Sequence, residues 1–162
     1  MRTAALHNLG CKVNSYETEA MQQLLEAAGY QIVPFHEKAD VYLINTCSVT
    51  NMADRKSRQM LHRARKQNPD AVVVAAGCYV QSASEELKKD LAVDVIIGNN
   101  KKQDLVEILE EYFQEKHQVH VIDIGNTQEY EKLKISRIAD HTRAFLKVQD
   151  GCNPVSYTHL RA

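Results

Sequence analysis

Two spacings of apolar residues take turns along the chain. Short apolar, β-branched runs read as strands at Thr3–Leu9 (closed by Gly10), Tyr30–Phe35, Asp40–Asn45, Ala71–Ala76, Val93–Ile97 and Val119–Ile124. Between them, patterns near 3.6 residues predict helices. The first starts at Asn14, where Asn14 and Glu17 have capping-box spacing. Its apolar stripe is Tyr16, Ala20, Leu24 and Ala27/Ala28, and Gly29 is a natural stop. A second should run from Thr50 to Gln67 and end before Pro69. Ser82 and Glu85 would cap a short third helix bearing Leu87 and Leu91, and Leu105, Ile108, Leu109, Tyr112 and Phe113 mark one face of a fourth. Strand–helix alternation predicts an α/β fold, a doubly wound, mainly parallel sheet with helices on both faces. The run Ala71–Ala76 is the expected central strand, buried on both sides.

This pattern ends near Gly125, so residues 1–125 form one domain and residues 126–141 read as a polar linker. Residues 142–153 include Arg143–Gln149 (RAFLKVQ), which resembles the opening strand of a second unit. Too little chain follows to bury that strand, so the unit reads as unfinished.

Composition narrows the class. With 44% hydrophobic and 25% charged residues among 162, the chain can bury a core, and neither disorder nor a collagen-like structure fits. The longest apolar run, Ala71–Ala76, is far shorter than the ~20 residues of a membrane span. The start MRTAALHNLG lacks the apolar stretch of a signal peptide, so a cytoplasmic protein without membrane contact is expected. In that compartment four cysteines read as ligands or reactive thiols rather than disulfides. The net charge of −1 means that any nucleic-acid surface must be a local patch. No feature points to an obligate protein partner.

Cys11, Cys47 and Cys78 each follow a predicted strand, in LHNLGC, VYLINTC and VVVAAGC. Ligands of open parallel sheets bind beyond the carboxyl ends of the strands, so these thiols should converge on one edge. Three such thiols suit a soft metal or an iron–sulfur cluster with one iron open, and zinc with a histidine as fourth ligand is the chemical rival. Small buried cysteines with no chemistry remain the bland alternative. No C-x-x-C pair, Walker A loop or G-x-G-x-x-G occurs. Cys152 stands apart, after the late strand, and by itself reads as an inert thiol. His7 could approach the cysteine edge but is expected to be a satisfied core histidine.

The helix 50–67 concentrates Arg55, Lys56, Arg58, Arg63, Arg65 and Lys66, with His62 among them and Asp54 its only acid. Such a helix is a candidate contact for phosphate backbone, or simply a solvated outer face. No aromatic side chain interleaves with these bases, which argues against a stacking platform for single strands.

LGCKVNSYETE, ADVYLINTCSVTN with the following DRKSRQ, and AAGCYVQ resemble the N-terminal domain of the radical S-adenosylmethionine methylthiotransferases over roughly residues 3–153. The residues after Gly10-Cys11 are most similar to the branch acting on N6-threonylcarbamoyladenosine at tRNA position 37. The resemblance implies that Cys11, Cys47 and Cys78 bind an auxiliary [4Fe–4S] cluster. It implies a tRNA partner and, in the longer enzyme, a second [4Fe–4S] cluster and S-adenosylmethionine, bound by a partial (β/α) barrel. The residues 142–153 would open that barrel, with Cys152 as first ligand of the second cluster. The family's next two ligand positions hold Ser156 and His159, so this motif is broken and the chain alone is expected not to cleave S-adenosylmethionine. Residues 154–162 do not resemble family sequence and read as a non-native tail. A non-catalytic RNA-binding or zinc-binding α/β module is the alternative.

Overall fold

A computed structural model of the chain describes residues 1–10, 12–47, 51–77, 79, 80, 87, 89–98 and 102–114, together with the backbone of 120 and 121. Its strands are β1 (Thr3–Asn8), β2 (Gln31–Ile32), β3 (Val41–Thr46), β4 (Val72–Gly77), β5 (Val95–Ile97) and β6 (His120–Val121). Its helices are α1 (Lys12–Ala27), α2 (Asn51–Gln67) and α3 (Leu105–Gln114), the last entered through a 3-10 turn at Lys102–Asp104.

The strands form one sheet in the order β2-β1-β3-β4-β5-β6, and every neighbouring pair is parallel. The doubly wound α/β class expected from the alternation is therefore what the chain adopts. Both faces are covered. Met21 and Leu25 of α1 and Leu105, Ile108 and Leu109 of α3 pack on Ala4, Val41, Leu43, Val74 and Ile97. Leu61 and Ala64 of α2, with Leu87, pack on Ala5, Tyr42, Ile44, Val73 and Ile96. Each β-strand offers alternate residues to the two cores. All six residues of β3 and of β4 are buried, as a central position requires.

Winding starts at β1, goes out to β2, and returns to β3 on β1's other side. The order therefore reverses between β1 and β3, which places a crevice beyond their carboxyl ends.

Several expectations are corrected. Helix α1 begins at Lys12, so Asn14 is inside its first turn and does not cap it. Its buried face is Asn14, Glu17, Ala20, Met21 and Leu25, while Tyr16 and Leu24 are half-buried and Ala27 and Ala28 exposed. The earlier start rotates the face, and a carboxylate and a carboxamide occupy it because buried partners await them. Backbone bonds from Gly29 and Tyr30 to the carbonyls of Glu26 and Leu25, both 3.0 Å, do close the helix. β2 is only two residues long: Val33 N still donates to Ala4 O at 2.9 Å, but the turn from Pro34 to Glu37 then carries the chain away from β1. Leu91 is 95% exposed, because the Asp90 carboxylate accepts from Ala92 N and makes a turn of this stretch. The proposed cap at Ser82 and Glu85, the linker 126–141, the strand in 142–153 and the tail 154–162 lie outside the described residues.

Candidate functional site

Among the described residues, polarity is buried at the carboxyl edge of the sheet. Asn45 and Thr46 end β3 with no exposed surface, although every other buried position of that strand is apolar or aromatic. The Asn45 carboxamide donates to Asn14 O at 2.9 Å and to Thr18 Oγ1 at 3.1 Å. Asn14 replies, its Nδ2 donating to Thr46 O at 2.9 Å and to Leu9 O at 3.2 Å. One side chain of α1 thus ties the end of β1 to the end of β3. Thr46 Oγ1 donates to Ala76 O at 2.5 Å, which joins β4 to the same network.

Cys47 follows directly and is 6% exposed. Ser57 of α2 holds its backbone, with Cys47 N donating to Ser57 Oγ at 3.4 Å and Ser57 Oγ to Cys47 O at 3.3 Å. Gly10 (φ +134°) lies against its side chain: a Cβ there would stand 2.8 Å from Cys47 Cβ and 3.0 Å from Sγ. Gly77 (φ +98°) is pressed on the other side of β3, where a Cβ would stand 2.4 Å from Thr46 O and 2.5 Å from Asn45 Oδ1. Both turns need glycine, for backbone conformation and for space.

A cleft of about 280 Å³ opens here, lined by Asn8, Leu9, Gly10, Cys47, Met52, Ala53 and Lys56. Among the described residues, its one charged lining residue is Lys56 and no carboxylate lines it. That donor set suits a soft, anionic, sulfur-bound group rather than a hard cation. The carboxamide oxygens of Asn8 and Asn45, both buried, have no hydrogen-bond partner among the described residues. No group of three or more His, Cys, Asp or Glu able to hold a metal occurs among the described residues. Cys11, Cys78 and Cys152 fall outside them. In sequence, Cys11 directly follows Gly10, which presses on Cys47, and Cys78 follows Gly77, which presses on β3.

His7 packs on Phe35, ring centroids 4.9 Å apart, and Phe35 in turn meets Tyr42 edge-on. Burial, then the charge of Arg63, hold its pKa below the ordinary 6.5. It is a partly buried packing histidine, as its strand position suggests, and does not line the cleft.

The basic helix α2 is split by the fold. Arg55, Lys56, Arg58, Arg63 and Lys66 are exposed, as is His62, which meets Asp90 at 2.9 Å. Arg65 instead turns inward at the amino edge. Its guanidinium donates to Pro69 O at 2.8 Å and Ala71 O at 2.9 Å and pairs with Asp94, which also accepts from Val73 N at 2.8 Å. Tyr112 shares this corner, where burial and then Asp94 push its phenol up to about 12. A cavity of about 520 Å³ lies beside them, at the edge opposite Cys47.

One buried pair was not anticipated. Lys102, with no exposed surface, donates to the carboxylate of Glu17 on α1. The signal in the sequence was a lysine immediately before the apolar stripe of α3 and a glutamate on the inner face of α1.

A family model described as "Uncharacterized protein family UPF0004" matches residues 3–98. The chain is 45% identical over 154 residues to the threonylcarbamoyladenosine tRNA methylthiotransferase MtaB of Bacillus subtilis (strain 168), a match covering 94% of this chain and 34% of that protein. Against the protein of that name from Aquifex aeolicus (strain VF5), identity is 41% over 150 residues, covering 92% and 37%. Against the tRNA-2-methylthio-N(6)-dimethylallyladenosine synthase of Ehrlichia canis (strain Jake), it is 30% over 158 residues, covering 94% and 36%. The chain spans about a third of the length of these relatives.

Proposed function

This chain belongs to the UPF0004 family, and from that premise we propose that it is the cluster-binding domain of a tRNA methylthiotransferase acting on N6-threonylcarbamoyladenosine at position 37. The observation that carries the reading is the glycine-walled cleft at Cys47, at the point where the strand order reverses. The names and identity levels of the relatives supply the reaction class and favour the threonylcarbamoyl branch.

In this reading Cys11, Cys47 and Cys78 are the three protein ligands of an auxiliary [4Fe–4S] cluster. When bound, such a group would supply iron–sulfur chemistry for the sulfur to be transferred, with the three cysteines as its protein ligands. The chain's own residues prepare the place. Ser57 fixes the backbone of Cys47, and Asn14 fixes the ends of β1 and β3 relative to each other. Gly10 and Gly77 remove the side chains that would fill the space beside Cys47 and β3. Lys56 sets a positive charge at the cleft against an anionic occupant. Cys152 is the first ligand of the second cluster in the longer enzyme, where S-adenosylmethionine binds. The exposed cations Arg55, Lys56, Arg58, Arg63 and Lys66 face tRNA phosphates, which adds affinity without reading sequence.

Iron, zinc and acid-labile sulfide per chain, measured after anaerobic reconstitution, test the reading. About four irons and four sulfides are expected in the wild type, and their loss in a Cys11/Cys47/Cys78→Ala variant. Zinc without sulfide would replace it with a zinc module, and no metal in either protein would refute it.

A further inference from the structure

Six of the seven polar or charged side chains buried among the described residues, namely Asn14, Glu17, Asn45, Thr46, Ser57 and Lys102, stand at the carboxyl edge. Four of them (Asn14, Asn45, Thr46 and Ser57) hold backbone or side chains close to Cys47 through the bonds described above or flank it directly. The Glu17–Lys102 pair joins residues 85 positions apart in sequence. Taking both charges out of water costs several kcal/mol each, and replacing such a pair by apolar groups of similar shape is often neutral for stability. Stability is therefore a poor reason for it, whereas geometry is a good one. Glu17 lies one turn beyond Asn14 on the same buried face of α1. Asn14 and Thr18 bind the ends of β1 and β3 on one side, and Lys102 binds Glu17 from the turn that opens α3 on the other.

We propose that Glu17 and Lys102 form a positioning pair for the cysteine cleft. The ion pair fixes the rotation and height of α1's first two turns over the sheet. Asn14 then reaches both Leu9 O and Thr46 O, and the Gly10 turn stays closed over Cys47. The alkylation test below does not depend on cluster binding; only its iron readout rests on the proposed function.

The test is residue-resolved alkylation of Cys47 by iodoacetamide in the metal-free 162-residue chain, with thermal melting alongside. In a Glu17→Gln/Lys102→Met double variant, Cys47 should be alkylated about tenfold faster, since the turn covering it opens locally, while the melting temperature changes little. The charge swap Glu17→Lys/Lys102→Glu should return the rate to within about twofold of wild type by restoring the pair. An Arg65→Met/Asp94→Asn variant removes an ion pair at the opposite edge and should leave the Cys47 rate unchanged. An unaltered rate in the first variant overturns the proposal, as does an equal rise in the Arg65/Asp94 control. A first variant that does not fold also overturns it, because the pair would then sustain the fold rather than the register. Reconstituted iron should fall in the first variant and recover in the swap. A wild-type chain that takes up no iron sinks the proposed function and leaves the alkylation comparison standing.

Discussion

Adding one methyl group at each of three glycines should grade the packing around Cys47. Gly29, Gly10 and Gly77 all have positive φ, so alanine pays a backbone cost of about 1–2 kcal/mol at each. At Gly29 nothing lies within 4 Å of the new Cβ, so that cost stands alone. At Gly10 the methyl meets Cys47 Cβ at 2.8 Å, Cys47 Sγ at 3.0 Å and Asn14 Nδ2 at 3.3 Å. Overpacking of that kind adds about 1–3 kcal/mol, for a total of roughly 2–5. At Gly77 the methyl meets the Thr46 carbonyl oxygen at 2.4 Å, a backbone atom of a central strand that cannot rotate aside. The largest loss belongs there. At about 3–4 °C per kcal/mol, Gly29→Ala should lower the melting temperature by about 3–8 °C and Gly10→Ala by about 6–20 °C. Gly77→Ala should lower it further or prevent folding. Thermal unfolding followed by circular dichroism reads the order directly. Three variants melting within about 2 °C of one another would refute the claim that the two turns close on β3 and Cys47.

The remaining predictions concern the two ends of the sheet. Arg55→Glu/Arg58→Glu/Arg63→Glu should weaken tRNA binding more than about tenfold and flatten its log–log salt dependence by about 2–3 units, read by filter binding across salt. Arg65→Met should instead cost about 1.5–3 kcal/mol in urea unfolding, since it strips a charged hydrogen-bond donor from Asp94, and leave RNA binding unchanged. The raised Tyr112 phenol keeps its proton in the folded state up to about 12, whereas the unfolded state loses it near 10.0. Its contribution is fully present below pH 10.0 and is lost as pH rises toward 12. Melting curves across that window should show a fall that Tyr112→Phe removes. With Ser156 and His159 at the positions following Cys152, the reduced, purified chain should form no 5′-deoxyadenosine from S-adenosylmethionine, as chromatography would show.

Local pattern determined much of this protein. The apolar run Ala71–Ala76 reads as a doubly buried strand and β4 (Val72–Gly77) is one, and the i, i+3, i+4 spacing of Leu105, Ile108, Leu109 and Tyr112 marks the face that α3 buries. The position of Cys47 at a strand end followed from strand–turn–helix alternation, because parallel strands all deliver their carboxyl ends to one edge; that Gly10 lies against Cys47 and Gly77 against Thr46 was decided by the tertiary structure. The basic character of α2 was equally plain. Which of its cations are available was not, because Arg65 is claimed by Asp94, 29 residues further on. The same holds for Asn14, which capping chemistry assigned to a helix start and which β3, 31 and 32 residues away, turned into a cross-strand tie. Glu17 and Lys102 meet only because α1 and the turn before α3 lie on the same face of the sheet. Propensity and periodicity act over one or two turns of chain, so they fix elements and their inner faces. Partners tens of residues apart are chosen by the order in which strands pair, and that order brought a glutamate, a lysine and two asparagines to the edge where Cys47 stands.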